Sequence, residues 1–461
     1  CFIRATELSP DDVWYWYNRA DVLQKLGRYD EAIPILEHCL QLAPNHANSW
    51  AKMGQIYRLQ GKYEDAAQAY EKALEYDPTY GWAHNGLGLV YKMLGRKKDA
   101  LMAFKRATRY QPEVIWHWYN LAEILVDVGQ YEDAVMPAQQ ATRLNPDHAF
   151  SWGKLGQVFR YVNRFEEALD AYDKAITLKS DYDWAINGKG IVLERLNRYE
   201  EALECYKRAC EIAPDSEWYW YNYGNVLSLL GRYAEALPLI EKATQLNPKH
   251  TRSWALKGSI LRQLGRLDEA LQACQRATAL SPEYAWAWSE QGQIYEALGQ
   301  LDEALDAYQN ASDYAPKEPY YLYRQTDVLL AMERFEEAAD LLTYALKLDN
   351  RNPQLWAKYG QVLRYMQRYE EALDAYTRAV EMDPDYSWAW SGRGLTLSAL
   401  SRHEEAIYCF KRAIDIDHND PWYWYSHGEE LLLAGRDREA LESLEQAIKL
   451  APNHAESWAK R

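Results

Sequence analysis

No apolar run in the 461 residues approaches the eighteen or so needed to span a bilayer as a helix, which excludes a helical membrane protein. Nothing resembles a signal peptide, and no low-complexity tract interrupts the chain. Basic residues are in deficit: 52 Lys and Arg stand against 68 Asp and Glu. The resulting net charge of −16 excludes a general binder of nucleic acid or of anionic membranes. Cysteine is scarce, with six residues and no C-x-x-C pair. Cys39, Cys210 and Cys274 replace small or apolar residues, and Cys205 and Cys409 share one place in two repeats. They read as reduced core or near-core residues of a cytoplasmic protein, not as a disulfide or metal set. No G-x-x-x-x-G-K-[ST], H-E-x-x-H or G-x-S-x-G occurs. The E-E-A runs, such as Glu166-Glu167-Ala168, are solvated helix starts. No catalytic constellation is present and no residue set asks for a cofactor, so the chain reads as non-catalytic.

What is present is a ruler. With Val13 as position 1, a step of 34 residues places unit starts at 13, 47, 81, 115, 149, 183, 217, 251, 285, 319, 353, 387 and 421, without insertion or deletion. Position 20 is alanine in all thirteen units, Ala32 to Ala440, and position 27 is alanine in all but one, where Cys39 stands. Position 8 is Gly in ten units, the others being Ala20, Ala122 and Thr326. Small residues at 8, 20 and 27 let two helices approach closely, and large residues at 4, 11 and 24 (Trp220, Leu227 and Ile240 in one unit) fill the space between. Position 15, as at Gly27, Gly61, Asn163 and Gly231, suits the left-handed residue that ends a first helix. Proline at 32 closes the second helix, with Ser180, Asn350 and His418 departing.

These residues resemble the tetratricopeptide repeat, whose signature is W-x2-L-G-x2-Y, then A-x3-F, then A and P. The resemblance covers residues 13 to 461. It implies an all-α fold, a right-handed superhelical solenoid of stacked antiparallel helix pairs with the first helix of each pair lining the concave face. Residues 1–12 read as the end of a second helix of a preceding unit, with Phe2, Ala5 and Pro10 at positions 24, 27 and 32. Residues 13–454 read as thirteen units and residues 455–461 as the start of a fourteenth. Neither end carries the polar cap of a solenoid, so the chain reads as an excerpt of a longer protein.

A second ruler of 102 residues groups the units in threes. Units one, four, seven and thirteen open VWYWYN, IWHWYN, EWYWYN and PWYWYS, unit ten opens with a weaker copy, PYYLYR, and units two, five, eight and eleven carry an arginine at position 12. Every tryptophan stands at position 2 or position 4. The eleven at position 4 match the repeat signature and read as inter-helix core. The other eight are Trp14, Trp82, Trp116, Trp184, Trp218, Trp286, Trp388 and Trp422, joined at position 2 by Phe150 and Tyr320. On a helix, positions 2, 9 and 13 share one face, with 5 and 12 beside it. Two readings of the position-2 rings stay open: packing on the neighbouring helix, or contact with a ligand in the groove.

The same face carries Tyr17, Tyr119, Tyr221 and Tyr425 at position 5, Gln55, Gln157 and Gln361 at position 9, and Arg58, Arg160, Arg262 and Arg364 at position 12. Acids at position 9 (Asp21, Glu123, Asp327, Glu429) alternate with them, and across positions 2, 5, 9, 12 and 13 eight basic residues meet seven acidic ones. An almost neutral, aromatic groove suits an extended peptide or an amphipathic helix, with the arginines able to hold a carboxylate or to stack. The family members that grip chaperone C-termini place lysines and arginines at 2, 5 and 6 with asparagines at 6 and 9; here position 5 is never lysine and position 2 is basic only at Arg252, so that clamp is rejected. The asparagines at position 6, Asn18, Asn120 and Asn222, resemble only weakly the ladder of the glycosyltransferase that modifies proteins with N-acetylglucosamine. His46, His148, His250 and His454 at position 34 lack a second ligand at helical spacing and read as capping or surface residues rather than metal ligands. The leading expectation is a protein-interaction scaffold that binds a protein or peptide partner. The others are a sensor arm of a larger signalling protein, a nucleotide-dependent switch or kinase, and a structural protein that self-associates end to end through uncapped units.

Overall fold

A computed structural model describes residues 2–453 and 455–460; Cys1, His454 and Arg461 lie outside the described residues. Among the described residues there are twenty-eight α-helices and no strand. Among these residues no helix is long and apolar enough to cross a membrane. The chain divides into two compact bodies, Cys1–Leu230 and Gly231–Arg461. In the first body a short helix, Phe2–Leu8, precedes first helices that start at Val13, Ala47, Gly81, Ile115, Ala149, Asp183 and Glu217, alternating with second helices that start at Tyr29, Tyr63, Lys97, Tyr131, Phe165 and Tyr199. The second body opens on Tyr233–Leu246, continues with the pairs from Thr251–Gln263 to Asp437–Leu450, and includes Ala455–Lys460. Within each body every helix packs on the neighbours that precede and follow it there, and many first helices also touch the next first helix, which makes a stack of antiparallel pairs.

The turn inside each pair is built one way throughout. All thirteen residues at position 15 have positive φ, from 58° to 78°, eight of them glycine and the rest Asn163, Asn197, Glu333, Gln367 and Ser401. In the first unit the Arg28 N–H donates to the Leu23 carbonyl at 2.9 Å and the Gly27 N–H to the Gln24 carbonyl at 3.0 Å, the two bonds of a Schellman ending. Exposed arginine–glutamate pairs such as Arg28–Glu31, 2.6 Å, then open the second helix. Pairs of this kind contribute little, which accounts for the acid-rich helix starts without a functional role.

The core corrects the assignment of position 4. Alanine at position 20 is fully buried throughout, and position 24 is buried in every unit, from Leu36 to Leu444. Position 11 is buried as expected in most units, as at Leu125, Leu193, Leu227 and Leu363, and position 10 adds a β-branched filler such as Ile56, Val90, Ile124 or Val158, each at 0 % exposure. Position-4 tryptophans are instead mostly half-buried, because the indole N–H has a task at the edge. Trp16 donates to the Pro10 carbonyl at 2.7 Å, Trp118 to Pro112 at 2.7 Å, Trp220 to Pro214 at 2.8 Å and Trp356 to Asn350 at 2.9 Å. All eleven make this bond, each to the carbonyl six residues earlier, at position 32 of the preceding unit. His84 uses a ring nitrogen at 2.9 Å from the Pro78 carbonyl in the same way. The ring thus closes the turn between units while its carbon edge packs inward.

Candidate functional site

The opening helices of the aromatic-rich units answer the question that position 2 raised. Trp14, Trp82, Trp116, Trp218 and Trp422 stand 44 to 52 % exposed, and Phe150 and Tyr320 are similar. Trp184, Trp286 and Trp388 are half-buried, because a tyrosine at position 34 of the preceding unit covers each: Trp184 stacks on Tyr182 with ring centres 5.8 Å apart, Trp286 meets Tyr284 at 6.0 Å and Trp388 meets Tyr386 at 6.0 Å. Packing and exposure therefore divide largely by unit type, with Trp82 the exception: it follows Tyr80 as the covered rings follow their tyrosines, yet stands 48 % exposed. The exposed rings are braced from below. Trp14 sets its edge on Tyr17 at 5.6 Å and on His46 at 5.0 Å, and Trp116 does the same with Tyr119 at 5.8 Å and His148 at 5.0 Å. Edge-on ring contacts of this kind fix an indole without hiding its outer face.

The position-34 histidines His46, His148 and His250 do stand at the N-cap of the helix that follows, half-buried or buried rather than on the surface. His46, His148 and His250 hold a ring nitrogen 2.7, 2.8 and 2.6 Å from the hydroxyls of Ser49, Ser151 and Ser253, and none caps its helix through its side chain. Burial lowers the pKa of His46 and of His148, which keeps those rings neutral and apolar-facing. The asparagine series is likewise structural: Asn120 donates to Asn85 at 2.9 Å and Asn222 to Asn187 at 2.9 Å, which ties one first helix to the preceding one.

In the first body a cavity of about 520 Å³ opens across four first helices, those that start at Val13, Ala47, Gly81 and Ile115. Its lining joins five of the expected residues, Tyr17, Gln55, Arg58, Trp82 and Trp116, to Lys52, Tyr70, Tyr80, Asn85, Gly86 and Asn120. Charge inside it is settled unevenly. Lys52 donates to Asp21 at 2.6 Å and to Gln24 at 3.3 Å, so the lysine and the position-9 acid neutralise each other. Arg58 pairs with no carboxylate: its guanidinium lies against the Tyr70 hydroxyl, and its Nε is buried without an acceptor in the chain. Burial pushes the Tyr70 phenol up to about 12, with Arg58 pulling against the shift. Tyr70 itself fits because Gly86 lacks a side chain; a Cβ there would stand 2.3 Å from the ring.

The lining recurs 102 residues later as Tyr119, Lys154, Gln157, Arg160, Tyr172, Tyr182, Trp184, Asn187, Gly188, Trp218 and Asn222. Here a second cavity of about 370 Å³ joins Tyr119, Lys154, Gln157, Tyr182 and Trp184 to Glu123 and Asp127. The Lys154 ammonium sits 5.6 Å from the centre of Tyr119 and 5.5 Å from that of Trp184, and burial lowers its pKa against the opposing pull of Glu123. In the second body the set returns as Tyr323, Lys358, Gln361, Arg364, Tyr376, Tyr386, Trp388, Gly392 and Trp422. Lys358 pairs with Asp327 at 2.8 Å, and the Gln361 amide oxygen is buried without a partner.

Two expected site residues differ. Tyr425 is 7 % exposed, enclosed by its own unit, and presents no surface. Arg262 has an internal partner, Glu290, at 3.4 Å. The residues that sequence reasoning passed over are the position-6 lysines, the position-24 tyrosines and the position-34 tyrosines Tyr80, Tyr182 and Tyr386. Their recurrence every 102 residues was the available signal. The position-9 acids expected to alternate with the arginines are paired with lysines instead, Asp21 with Lys52, Glu123 with Lys92, Asp327 with Lys358 and Glu429 with Lys460, which leaves the arginines distinct.

The fold and these linings can be set beside known proteins. Models of the tetratricopeptide repeat match residues 15–46, 195–231, 222–285, 261–325, 353–419 and 423–454. A model of the cilia and flagella-associated protein 70 C-terminal domain matches residues 45–181. The chain belongs to the tetratricopeptide-repeat family. It is a protein-interaction scaffold, and its family is generally non-catalytic. Among solved structures it is similar to the crystal structure of the APC/C hetero-tetramer Cut9-Hcn1, at 14% identity and TM-score 0.46 over 100% of this chain and 97% of that one. It is also similar to YrrB, described as a TPR protein with an unusual peptide-binding site, at 29% identity and TM-score 0.35 over 40% of this chain and 96% of that one. Comparison with curated proteins gives no match.

Proposed function

We propose that the aromatic face of the first helices binds an extended segment of a protein partner. The observation that carries this reading is the cavity around Arg58, where exposed Trp82 and Trp116 flank a polar floor of Gln55, Arg58 and Asn120. Large, rigid rings with their edges already fixed lose little freedom on binding, and they are the residues that dominate peptide and protein interfaces. An extended segment also suits the site better than a small molecule, because the lining recurs along the chain. The test is selection of binders from a random peptide library on the 461-residue chain, followed by affinity measurement with Trp82→Ala and Trp116→Ala. Loss of affinity by about tenfold or more in each variant is the expected result for an interface anchor. A library that yields no binder, or binders indifferent to both substitutions, refutes the reading.

A further inference from the structure

Four arginines occupy the same place in successive 102-residue blocks, and one of them is unlike the others. The Nε atoms of Arg58, Arg160 and Arg364 are buried with no acceptor in the chain. The same three guanidiniums lie against the hydroxyls of Tyr70, Tyr172 and Tyr376. At the fourth, two changes occur together. Cys274 replaces the tyrosine, and Glu290 replaces the glycine that stands as Gly86, Gly188 and Gly392 elsewhere. The Arg262 Nε donates to that glutamate at 3.4 Å, and the Glu290 side chain is only 6 % exposed.

The two changes depend on each other sterically. A Cβ on Gly86, Gly188 or Gly392 would stand 2.3, 2.6 or 2.4 Å from the tyrosine ring, so no side chain fits while the ring is there. Only where the ring is lost can the chain place a carboxylate on the arginine. Glu290 thus marks what the buried Nε–H donates to when the chain itself supplies the partner. The other cations nearby have no such need, since Lys52 and Lys358 already hold Asp21 and Asp327.

We propose that Arg58, Arg160 and Arg364 are three copies of a carboxylate subsite, each taking one Asp or Glu side chain of an acidic partner segment. Glu290 is the resident occupant of the fourth copy, which is closed to partners. This rests on the reading of the aromatic face as a segment-binding site and adds the chemistry of the segment. A buried guanidinium N–H without an acceptor gains a charge-assisted hydrogen bond from an incoming carboxylate, and the neighbouring phenol can donate a second. The net charge of −16 does not prevent this at contact, because charges beyond a Debye length of about 8 Å are screened at physiological salt.

The experiment uses peptides selected from a random library on the 461-residue chain. Each Asp and Glu of the tightest binder is replaced by Asn or Gln, and affinities are measured by fluorescence anisotropy. The altered group is on the peptide, so the result does not depend on whether a protein variant folds. We expect amide replacement of the contacting residue to weaken binding on the order of tenfold to hundredfold, the range for a hydrogen bond to a charged group. That loss should vanish in the matching Arg58→Gln, Arg160→Gln or Arg364→Gln protein, and the pair Cys274→Tyr with Glu290→Gly should create an additional carboxylate-dependent site. Binders unaffected by amide replacement yet abolished by Trp82→Ala overturn the carboxylate subsite and leave the aromatic face intact. Binding that needs the arginines but not the carboxylates also overturns it, in favour of a neutral acceptor such as a backbone carbonyl. Binders indifferent to Trp82→Ala and Trp116→Ala overturn both.

Discussion

Replacing Gly86 by alanine sets two known effects against each other. Alanine in a helix interior is favoured over glycine by about 1 kcal/mol. Against this, the added Cβ would lie 2.3 Å from Cζ and 2.5 Å from Cε1 of Tyr70. The ring cannot retreat, because its other edge already faces Gly54, where a Cβ would stand 2.9 Å away. Overpacking of a site with no slack belongs near the upper end of the usual range, about 3 kcal/mol. The net expectation is therefore a destabilisation of about 2 kcal/mol, the sign set by the clash. In a Tyr70→Cys background the clash is gone, and the same substitution should stabilise by about 1 kcal/mol. The double-mutant cycle should then return a coupling of about 3 kcal/mol. Because stability in a repeat array is distributed over neighbouring units, native-state hydrogen exchange of the Tyr63–Tyr76 helix is the appropriate assay, with urea unfolding as its global companion. If Gly86→Ala alone stabilises the protein, or if the two substitutions simply add, Tyr70 does not fill the space between the two glycines. The account of Cys274 and Glu290 as a compensated pair would then lose its basis.

Other consequences are independent of that site. Trp118→Phe keeps most of the ring but removes the bond to the Pro112 carbonyl, and should cost about 1 kcal/mol in exchange protection of the Ile115–Asp127 helix; no loss of protection would show that the indole N–H does not close the turn. Glu333 has φ 58°, so Glu333→Gly should raise the urea midpoint by relieving about 1 kcal/mol of left-handed strain, and a lowered midpoint would refute it. His427 is held 3.0 Å from the Ser443 hydroxyl, and burial, reinforced by the Arg436 and Lys411 cations, lowers its pKa to about 4. Since the unfolded chain binds the proton more readily, stability is intact above about pH 6.5 and falls as pH drops toward 4, by on the order of 2 kcal/mol at pH 5. His427→Gln should flatten that part of the pH profile, and an unchanged slope would place the dependence elsewhere.

The fold was legible because it rests on local regularities. Alanine at position 20, a left-handed residue at position 15 and proline at position 32 each act within one turn or one helix pair, and a period of 34 exposes them. The site was legible in part, for a related reason. Periodicity reports which face a residue occupies, so Trp82, Trp116, Gln55 and Arg58 could be grouped correctly. It does not report partners. Asp21 and Lys52 are 31 residues apart and Arg262 and Glu290 are 28 apart, spacings that belong to no helix pattern and emerge only when units stack. Tyr70 was read as filler because it is filler; its hydroxyl end, turned to Arg58, is a second role that position alone cannot disclose. Trp118 and its counterparts were read as core for their size, whereas their indole N–H draws them to the rim.

The turn bond of the position-4 indole also bears on how such a chain can change length. Donor and acceptor are separated by six residues of tight backbone with the proline ring at its start, as in Pro112 to Trp118. One residue inserted there would carry the indole away from its carbonyl, and one removed would drive the ring into the turn. The turn within each pair is equally intolerant, since a single residue must hold the left-handed conformation. Viable length changes are then confined to whole units, and only a change by a full block of three also preserves the phase of the arginines, tyrosines and glycines. An array closed in this way varies by copy number and by point substitution, and the exchange of Tyr and Gly for Cys274 and Glu290 is variation of the second kind, altering one site without disturbing the ruler.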